Sequence, residues 1–337
     1  MKIIVEKNIP YIKGVLEKYA EVQYLPYQEI TPQAVKDADV LLVRTRTRCD
    51  EALLDGSRCR FVGTATIGTD HIDMNYCRNR GIEVKNAPGC NAPAVAQYVL
   101  SSIGHWMKKE YIFNTEGLTL GVVGVGHVGS IVARWAKKLG FKVLLCDPPL
   151  RRMTGSADYV PLSKLMQSAD IITFHTPLTH TGVDATYLLA GHSFITALQN
   201  CRLLINSARG AIVDNDALVE CMGDSSIKDV VIDCWEDEPF LNTKLLEKAF
   251  VATPHIAGYS SQGKLRATAM LLEALAENFG WELDIPQADT PLKGAEDVTL
   301  ESIMASYNPL FDTSALKSSP TSFENLRNTY NFRSEPR

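Results

Sequence analysis

The chain has 337 residues, 45% of them hydrophobic, with 34 Lys and Arg against 39 Asp and Glu for a formal net charge of −5. That length suits two domains and an extension, and an acidic chain without a long basic run is a poor candidate for a nucleic-acid surface or an anionic membrane partner. The eight cysteines show no CxxC or metal-ligand spacing, MKIIVEKNIP does not read as a signal peptide, and no run of about 18 uncharged apolar residues occurs, so reduced thiols, no metal, no membrane span and a cytoplasmic location are expected.

In chain order, the first third alternates short apolar runs (KIIVE, VQYL, DVLLV, FVGT, IEVKN) with more polar helical stretches, the βα rhythm of a parallel sheet. After NAPGCNAPAV, residues Val95, Val99, Ile103 and Met107 recur at helical spacing and Pro93 suits a first helical turn, which predicts a long helix leaving this domain. A second βα series follows through LTLGVVGVG, FKVLLCD, DIITFH, CRLLIN, VVIDC and FVATPH, about six strands of a doubly wound sheet. The apolar pattern from Leu265 to Phe279 predicts a helix that returns to pack on the first domain, which makes that domain discontinuous. Beyond about Trp281 the chain breaks into short pieces between Pro286, Pro291, Pro309 and Pro320, and Thr321 with Glu324 reads as a capping box before a last short helix. This segment cannot bury a core of its own and is either a loosely attached tail or a dimer-stabilising arm.

The fingerprint GVVGVGHVG stands directly after a strand and before the helical run SIVARWAKKLG. Gly124 permits the tight turn, Gly126 lets backbone amides approach a pyrophosphate, and Gly129 lets the helix pack close to the strand with its positive end at the phosphates. About 20 residues on, Asp147 closes FKVLLCD, where a carboxylate can accept from ribose hydroxyls and would repel a 2′-phosphate. NAD is therefore expected rather than NADP. The competing reading of Asp147 is a turn residue before Pro148 and Pro149.

Three strand ends carry polar groups that suit oxidation of a hydroxy acid: Arg209 in NSARGAIVD, Glu238 in DCWEDEP and His255 in TPHIAG. His255 is the expected base, since removing a hydroxyl proton as hydride leaves suits a neutral imidazole. Glu238 would fix its tautomer and favour the imidazolium, while its neighbours Glu236 and Asp237 are expected to be solvated. Arg209 can hold an α-carboxylate bidentately. In VRTRTR an extended backbone would turn Arg44, Arg46 and Arg48 one way and Thr45 and Thr47 the other, with Arg44 or Arg46 a candidate for binding a phosphate.

With these motifs assembled, GTATIGTDHID, the Gly124 fingerprint, NSARGAIVDNDAL, DCWEDEP and TPHIAGYS resemble the D-isomer-specific 2-hydroxyacid dehydrogenases over about residues 1–285. Within that family VRTRTR, FVGTATIGTDHID, APGCNA, LLCDPP, TFHTPL and HIAGYS resemble the branch that oxidises 4-phospho-D-erythronate, and FENLRNTYNFR resembles its C-terminal dimerisation segment. The resemblance implies an α/β fold of two Rossmann-like doubly wound domains: a substrate domain over 1–92 and 258–285, an NAD domain over 93–257 and a short dimerisation segment over 286–337. It implies a homodimer that converts this phosphorylated 2-hydroxy acid to 2-oxo-3-hydroxy-4-phosphobutanoate on a route to pyridoxal 5′-phosphate. Arg209, Glu238 and His255 would be catalytic, Asp147, Thr176, Asp233 and Gly258 would contact NAD, and Thr45, Thr66 and Tyr259 would contact substrate in a cleft that closes over it. The alternatives are another member of the family, such as one acting on 3-phospho-D-glycerate, and a non-catalytic NAD-sensing corepressor on the same fold. A formate dehydrogenase is disfavoured, because Glu238 stands where that branch uses glutamine.

Overall fold

Runs of Val, Ile, Leu and Phe too short for helices form two all-parallel sheets in the computed structural model, which describes residues 1–223, 225–288 and 298–336. The first sheet comprises β1 (Lys2–Glu6), β2 (Glu21–Leu25), β3 (Val40–Val43), β4 (Phe61–Thr64) and β5 (Glu83–Lys85); the second comprises β6 (Thr119–Val123), β7 (Lys142–Cys146), β8 (Ile171–Phe174), β9 (Leu203–Asn206), β10 (Asp229–Ile232) and β11 (Val251–Ala252). Among the helices are α1 (Ala92–Lys109), α2 (His127–Lys138), α3 (Pro148–Thr154), α4 (Ser261–Phe279), α5 (Leu300–Ser306), α6 (Pro309–Ser318) and α7 (Phe323–Asn328). Backbone contacts divide the chain into two units, one of Met1–Asn91 with the stretch from Ser260 through α4, the other of Ala92–Tyr259 with the described C-terminal segment. Gly258 and Tyr259 thus belong with the second sheet.

In the first unit the strand order is β2-β1-β3-β4-β5, with Ile3 opposite both Val22 and Val40. Every residue of β3 and β4 is buried, as expected of strands covered on both faces. One cover is α4, whose Ala267, Leu271, Leu272 and Leu275 cluster with Ile3, Val5, Val40, Leu42 and Phe61. A Cβ at Gly63 would lie 2.3 Å from Leu271 Cδ1, so the glycine sets how closely this helix approaches β4. Strand order reverses between β1 and β3, and the segment 44–48 leaves the sheet there. The alternation expected of VRTRTR does not form, because β3 ends at Val43 and the chain turns. The buried Glu6 carboxylate needs donors and obtains the Arg44 N–H at 2.9 Å and the Thr47 hydroxyl at 3.1 Å, which a continuing strand could not supply together.

The second sheet runs β11-β10-β9-β8-β6-β7, reversing between β6 and β8. Val95, Val99, Ile103 and Met107 are all buried in α1, which is enclosed along most of its length. The C-terminal segment is not loosely attached. Ile303 and Tyr307 join the cluster that holds Val99, Ile103 and Trp106, while Leu316 and Phe323 join the one that holds Phe174, Leu204 and Ile232. A Cβ at Gly104 of α1 would meet the Met304 sulfur at 2.5 Å, so α5 seats directly on a small residue.

The capping box expected at Thr321 and Glu324 is absent. Pro320 starts a 3-10 turn over Pro320–Ser322, which puts Ser322 at the N-cap of α7. A capping box does form at Thr299 and Ser302, ahead of α5. Pro291 lies outside the described residues. Among the described residues, no helix is long and apolar enough to cross a membrane.

Candidate active site

Two of the fingerprint glycines answer separate steric demands at the reversal between β6 and β8, and the third leaves space open. Gly124 has φ +85°, and a Cβ there would lie 2.8 Å from the backbone of His175 and Thr176 at the end of β8. A Cβ at Gly129 would come within 2.0 Å of the Gly124 carbonyl oxygen, so α2 could not start so close to β6 with any other residue. Gly126, the N-cap of α2, would present its Cβ to no atom within 4 Å. Asp147 follows β7, and its carboxylate accepts from Val125 N at 2.8 Å and Leu150 N at 3.0 Å. It is therefore both the N-cap of α3 and a carboxylate tied to the fingerprint loop, so the turn reading and the ribose reading are compatible. The hydroxyl oxygens of Thr176 and Ser207 and Nδ1 of His175 are buried without hydrogen-bond partners at the ends of β8 and β9. Orphaned polar atoms beside a glycine cradle are what a bound dinucleotide would satisfy, so the residues present fit NAD.

Arg209, Glu238 and His255 follow β9, β10 and β11, the successive strands at one end of the same sheet. His255 Nδ1 lies 2.8 Å from Glu238 Oε2 and 3.0 Å from Oε1, with the two side chains 29% and 19% exposed. Glu238 Oε1 also accepts from Trp235 N at 2.9 Å. Burial alone would raise the Glu238 carboxyl, but His255, the Trp235 N–H and the Arg327 guanidinium outweigh it and hold it below the usual range. The pair therefore consists of an anionic carboxylate and a ring whose Nδ1–H donates to it, which leaves Nε2 to carry the lone pair. His255 has φ +56°, a left-handed conformation costly for a histidine and held by the surrounding loop.

That loop is set by Asp233, which the sequence reading made a cofactor contact. Its carboxylate accepts from the Thr253 hydroxyl at 2.6 Å, Ile256 N at 2.8 Å and Ala257 N at 3.0 Å, and the residue is 1% exposed. Burial pushes its pKa up against the opposing pull of His255 and these donors. Tyr98 donates to Thr253 at 2.7 Å, since the Thr253 proton is committed to Asp233, so α1 braces the same network. Gly258 lies in the turn closed by Tyr259 N–H to the Ile256 carbonyl at 2.8 Å.

The Arg209 loop is fastened to the Glu238 loop by two residues whose roles sequence reasoning missed. A Cβ at Gly210 would fall 1.8 Å from the Trp235 carbonyl oxygen, so only glycine permits this backbone approach. Asn206 Nδ2 donates to the Arg209 carbonyl at 2.9 Å and lies 3.4 Å from that of Cys234. Both residues stand inside NSARG, but nothing in their spacing shows what they touch. Glu236 departs from expectation: rather than being solvated, it accepts from Asn215 N at 2.8 Å, whereas Asp237 is exposed. Cys234 Sγ lies within 4.8 Å of the Glu238 and His255 donor atoms. Burial pushes this thiol well above its ordinary range and it donates to the Ala208 carbonyl at 3.5 Å, so it sits beside the dyad as a protonated thiol.

In the first unit Thr45 is exposed in the turn after β3, and Thr66 is half-buried just beyond β4. The Thr66 hydroxyl donates to the Gly68 carbonyl at 3.0 Å and lies 2.7 Å from that of Thr64, which in turn lies 3.1 Å from His71 Nε2. Arg44 Nη1 donates to the Asn8 carbonyl at 3.2 Å, and Arg46 lies over the Tyr27 ring. Tyr259, in the second unit, accepts from Arg327 Nε at 3.3 Å.

Comparisons with known proteins identify the family. A family profile described as D-isomer specific 2-hydroxyacid dehydrogenase, NAD binding domain, matches residues 93–257. The erythronate-4-phosphate dehydrogenase of Bacteroides thetaiotaomicron is 45% identical over 340 residues, covering 99% of this chain and 97% of that protein. The enzyme of that name from Escherichia coli O127:H6 is 43% identical over 296 residues, covering 88% and 78%. Among solved structures, the TT0316 protein from Thermus thermophilus superposes with a TM-score of 0.70 at 26% identity, covering 85% of this chain and 99% of its own. On identity sustained over nearly its whole length, this chain belongs to the erythronate-4-phosphate dehydrogenase family, within the NAD-dependent D-isomer-specific 2-hydroxyacid dehydrogenases.

Proposed function

We propose that the protein oxidises 4-phospho-D-erythronate at C2 to 2-oxo-3-hydroxy-4-phosphobutanoate, in a route to pyridoxal 5′-phosphate. The observation that carries this reading is the His255–Glu238 pair at 2.8 Å, beside a fingerprint that fits NAD, in a chain 45% identical to a protein of that named activity. NAD, when bound, supplies the hydride acceptor. His255 Nε2 takes the C2 hydroxyl proton as the hydride departs, and the Glu238 carboxylate stabilises the imidazolium that results. Arg209 holds the substrate carboxylate and orients C2. Thr45, Thr66 and Tyr259 are the proposed substrate contacts, and Asp147, Thr176, Asp233 and Gly258 the proposed cofactor residues, with Asp233 acting chiefly through the loop it anchors. Its anionic carboxyl and phosphate groups make the substrate a partner for local cations such as Arg44 and Arg46.

We propose further that the protein is a cytoplasmic homodimer. All eight cysteines are free and buried, which suits a reducing compartment, and the resemblance of the C-terminal segment supports the dimer. The deciding experiment offers 4-phospho-D-erythronate and 3-phospho-D-glycerate side by side with NAD and a 2-oxo acid that reoxidises tightly held NADH, and reads formation of each oxidised ester by mass spectrometry. Preference for the erythronate ester supports the reading, preference for phosphoglycerate moves the chain to the other substrate with the same site, and no turnover of either points to a sensor.

A further inference from the structure

The C-terminal segment reaches the proton-transfer dyad of its own chain. Arg327 of α7 places Nη1 3.9 Å from Glu238 Oε2, and its Nε donates to the Tyr259 hydroxyl at 3.3 Å. Its side chain is 19% exposed, so this charge is only partly screened by solvent. Six residues on, Arg333 stacks 4.2 Å over the Tyr307 ring and donates to the carbonyls of Ile256, Ala257 and Tyr259, to that of Ala94, and from Nε to Gln97 Oε1 at 2.9 Å. The backbone on which His255 sits is thus fastened from one side by Asp233 and from the other by Arg333.

We propose that Arg327 is a positioning residue for the catalytic dyad: it holds Glu238 as a carboxylate in register with His255 and fixes the Tyr259 hydroxyl, so the C-terminal segment completes the active site of its own chain. The carboxylate accepts from His255 and from Trp235 N–H, and Arg327 is a cation close to it. The charged or titratable groups around the dyad are Asp233 and Cys234 after β10, Arg209 after β9, Tyr259, and Arg327 with Glu324 on α7; Arg333 lies behind the loop. Glu324 is 3.8 Å from Arg327 and 42% exposed, so it orients the guanidinium without cancelling it. Removing the Arg327 charge takes away a cation close to the dyad, which disfavours the Glu238 carboxylate and favours a positive charge on the ring beside it.

The test titrates the His255 ring by NMR in full-length protein with labelled histidine, its signal assigned by loss in His255→Ala, comparing wild type with Arg327→Gln and Arg327→Lys. The expected result is titration at higher pH in Arg327→Gln and near-wild-type titration in Arg327→Lys. A second arm, which rests on the proposed reaction, follows kcat/KM against pH. There the acidic limb moves the same way, kcat/KM at neutral pH falls roughly tenfold, and lysine recovers most of it. Identical ring titration in all three proteins overturns the proposal even if wild type turns over, whereas a ring shift without turnover of either ester by wild type sinks the substrate reading and leaves the positioning role standing. Should Arg327→Gln fail to fold, an Arg327→Lys ring that titrates with wild type supports a role for charge, and one displaced upward overturns it.

Discussion

Glu238→Gln isolates the charge of the dyad from its shape. The carboxylate oxygens lie 2.8 and 3.0 Å from His255 Nδ1, and the side chains are 29% and 19% exposed, so the pair is sheltered but not dry. At an effective dielectric of about 20, unit charges about 3 Å apart attract by roughly 6 kcal/mol, of which desolvation removes a large part, and charge-assisted hydrogen bonds net about 1.5–3 kcal/mol. Glutamine keeps an acceptor for the ring N–H and for Trp235 N, so the loss is mostly electrostatic and appears when the imidazolium forms. A loss of about 2–3 kcal/mol is roughly 30- to 150-fold in kcat. Because the stabilisation develops in the transition state, kcat and kcat/KM should fall together while KM and NAD affinity stay within about twofold. Initial rates at 340 nm and a fluorescence titration with NADH measure both. A kcat within threefold of wild type, or a loss of NADH affinity that matches the loss of rate, would refute the role given to the pair.

Gly210→Ala puts a Cβ 1.8 Å from the Trp235 carbonyl oxygen, against backbone that cannot rotate away, so urea denaturation should show a loss of roughly 1–3 kcal/mol and turnover should fall more than NAD affinity; wild-type stability would show that the loops part freely. Asp147→Ala should weaken NAD binding at least tenfold and remove the α3 cap, worth about 1 kcal/mol, with calorimetric titration and denaturation reading the two effects separately. Burial lowers the His175 pKa to about 3 from 6.5, so the folded state keeps a neutral ring where the unfolded chain protonates. The contribution is fully present above about pH 6.5 and is lost as pH falls from there towards 3, at up to about 1.4 kcal/mol per pH unit. His175→Gln should flatten the dependence of stability on pH between 6.5 and 5, and an unchanged slope would contradict the assignment.

Much of this architecture is legible in the chain because parallel strands buried on both faces must be nearly uniformly apolar, and VLLV, FVGT, IITF and LLIN are. The fingerprint is legible for a related reason: Gly124 and Gly129 answer local backbone demands that no other residue meets. Where the reading failed, a distant partner had overridden a local preference. Glu6 bends VRTRTR out of extension across almost forty residues of sequence, and Asn215, some twenty residues earlier, draws Glu236 away from solvent. At Thr321 the competitor was local instead: Pro320 formed a turn before the capping pattern could.

Residue types and order alone determined that this chain makes two parallel sheets, that glycines stand where a dinucleotide backbone must approach, and that an arginine, a glutamate and a histidine end successive strands, since these follow from periodicity and from the sterics of single residues. Tertiary structure decided which atoms meet: that Glu238 takes the His255 Nδ1 proton donor, that Asp233 anchors the loop behind it, that Gly210 brings the Arg209 and Trp235 backbones together, and that Arg327 and Arg333 of the C-terminal segment close on that same loop. Those contacts join residues that lie dozens of positions apart, and their energies depend on distance and burial, quantities that a linear pattern does not encode.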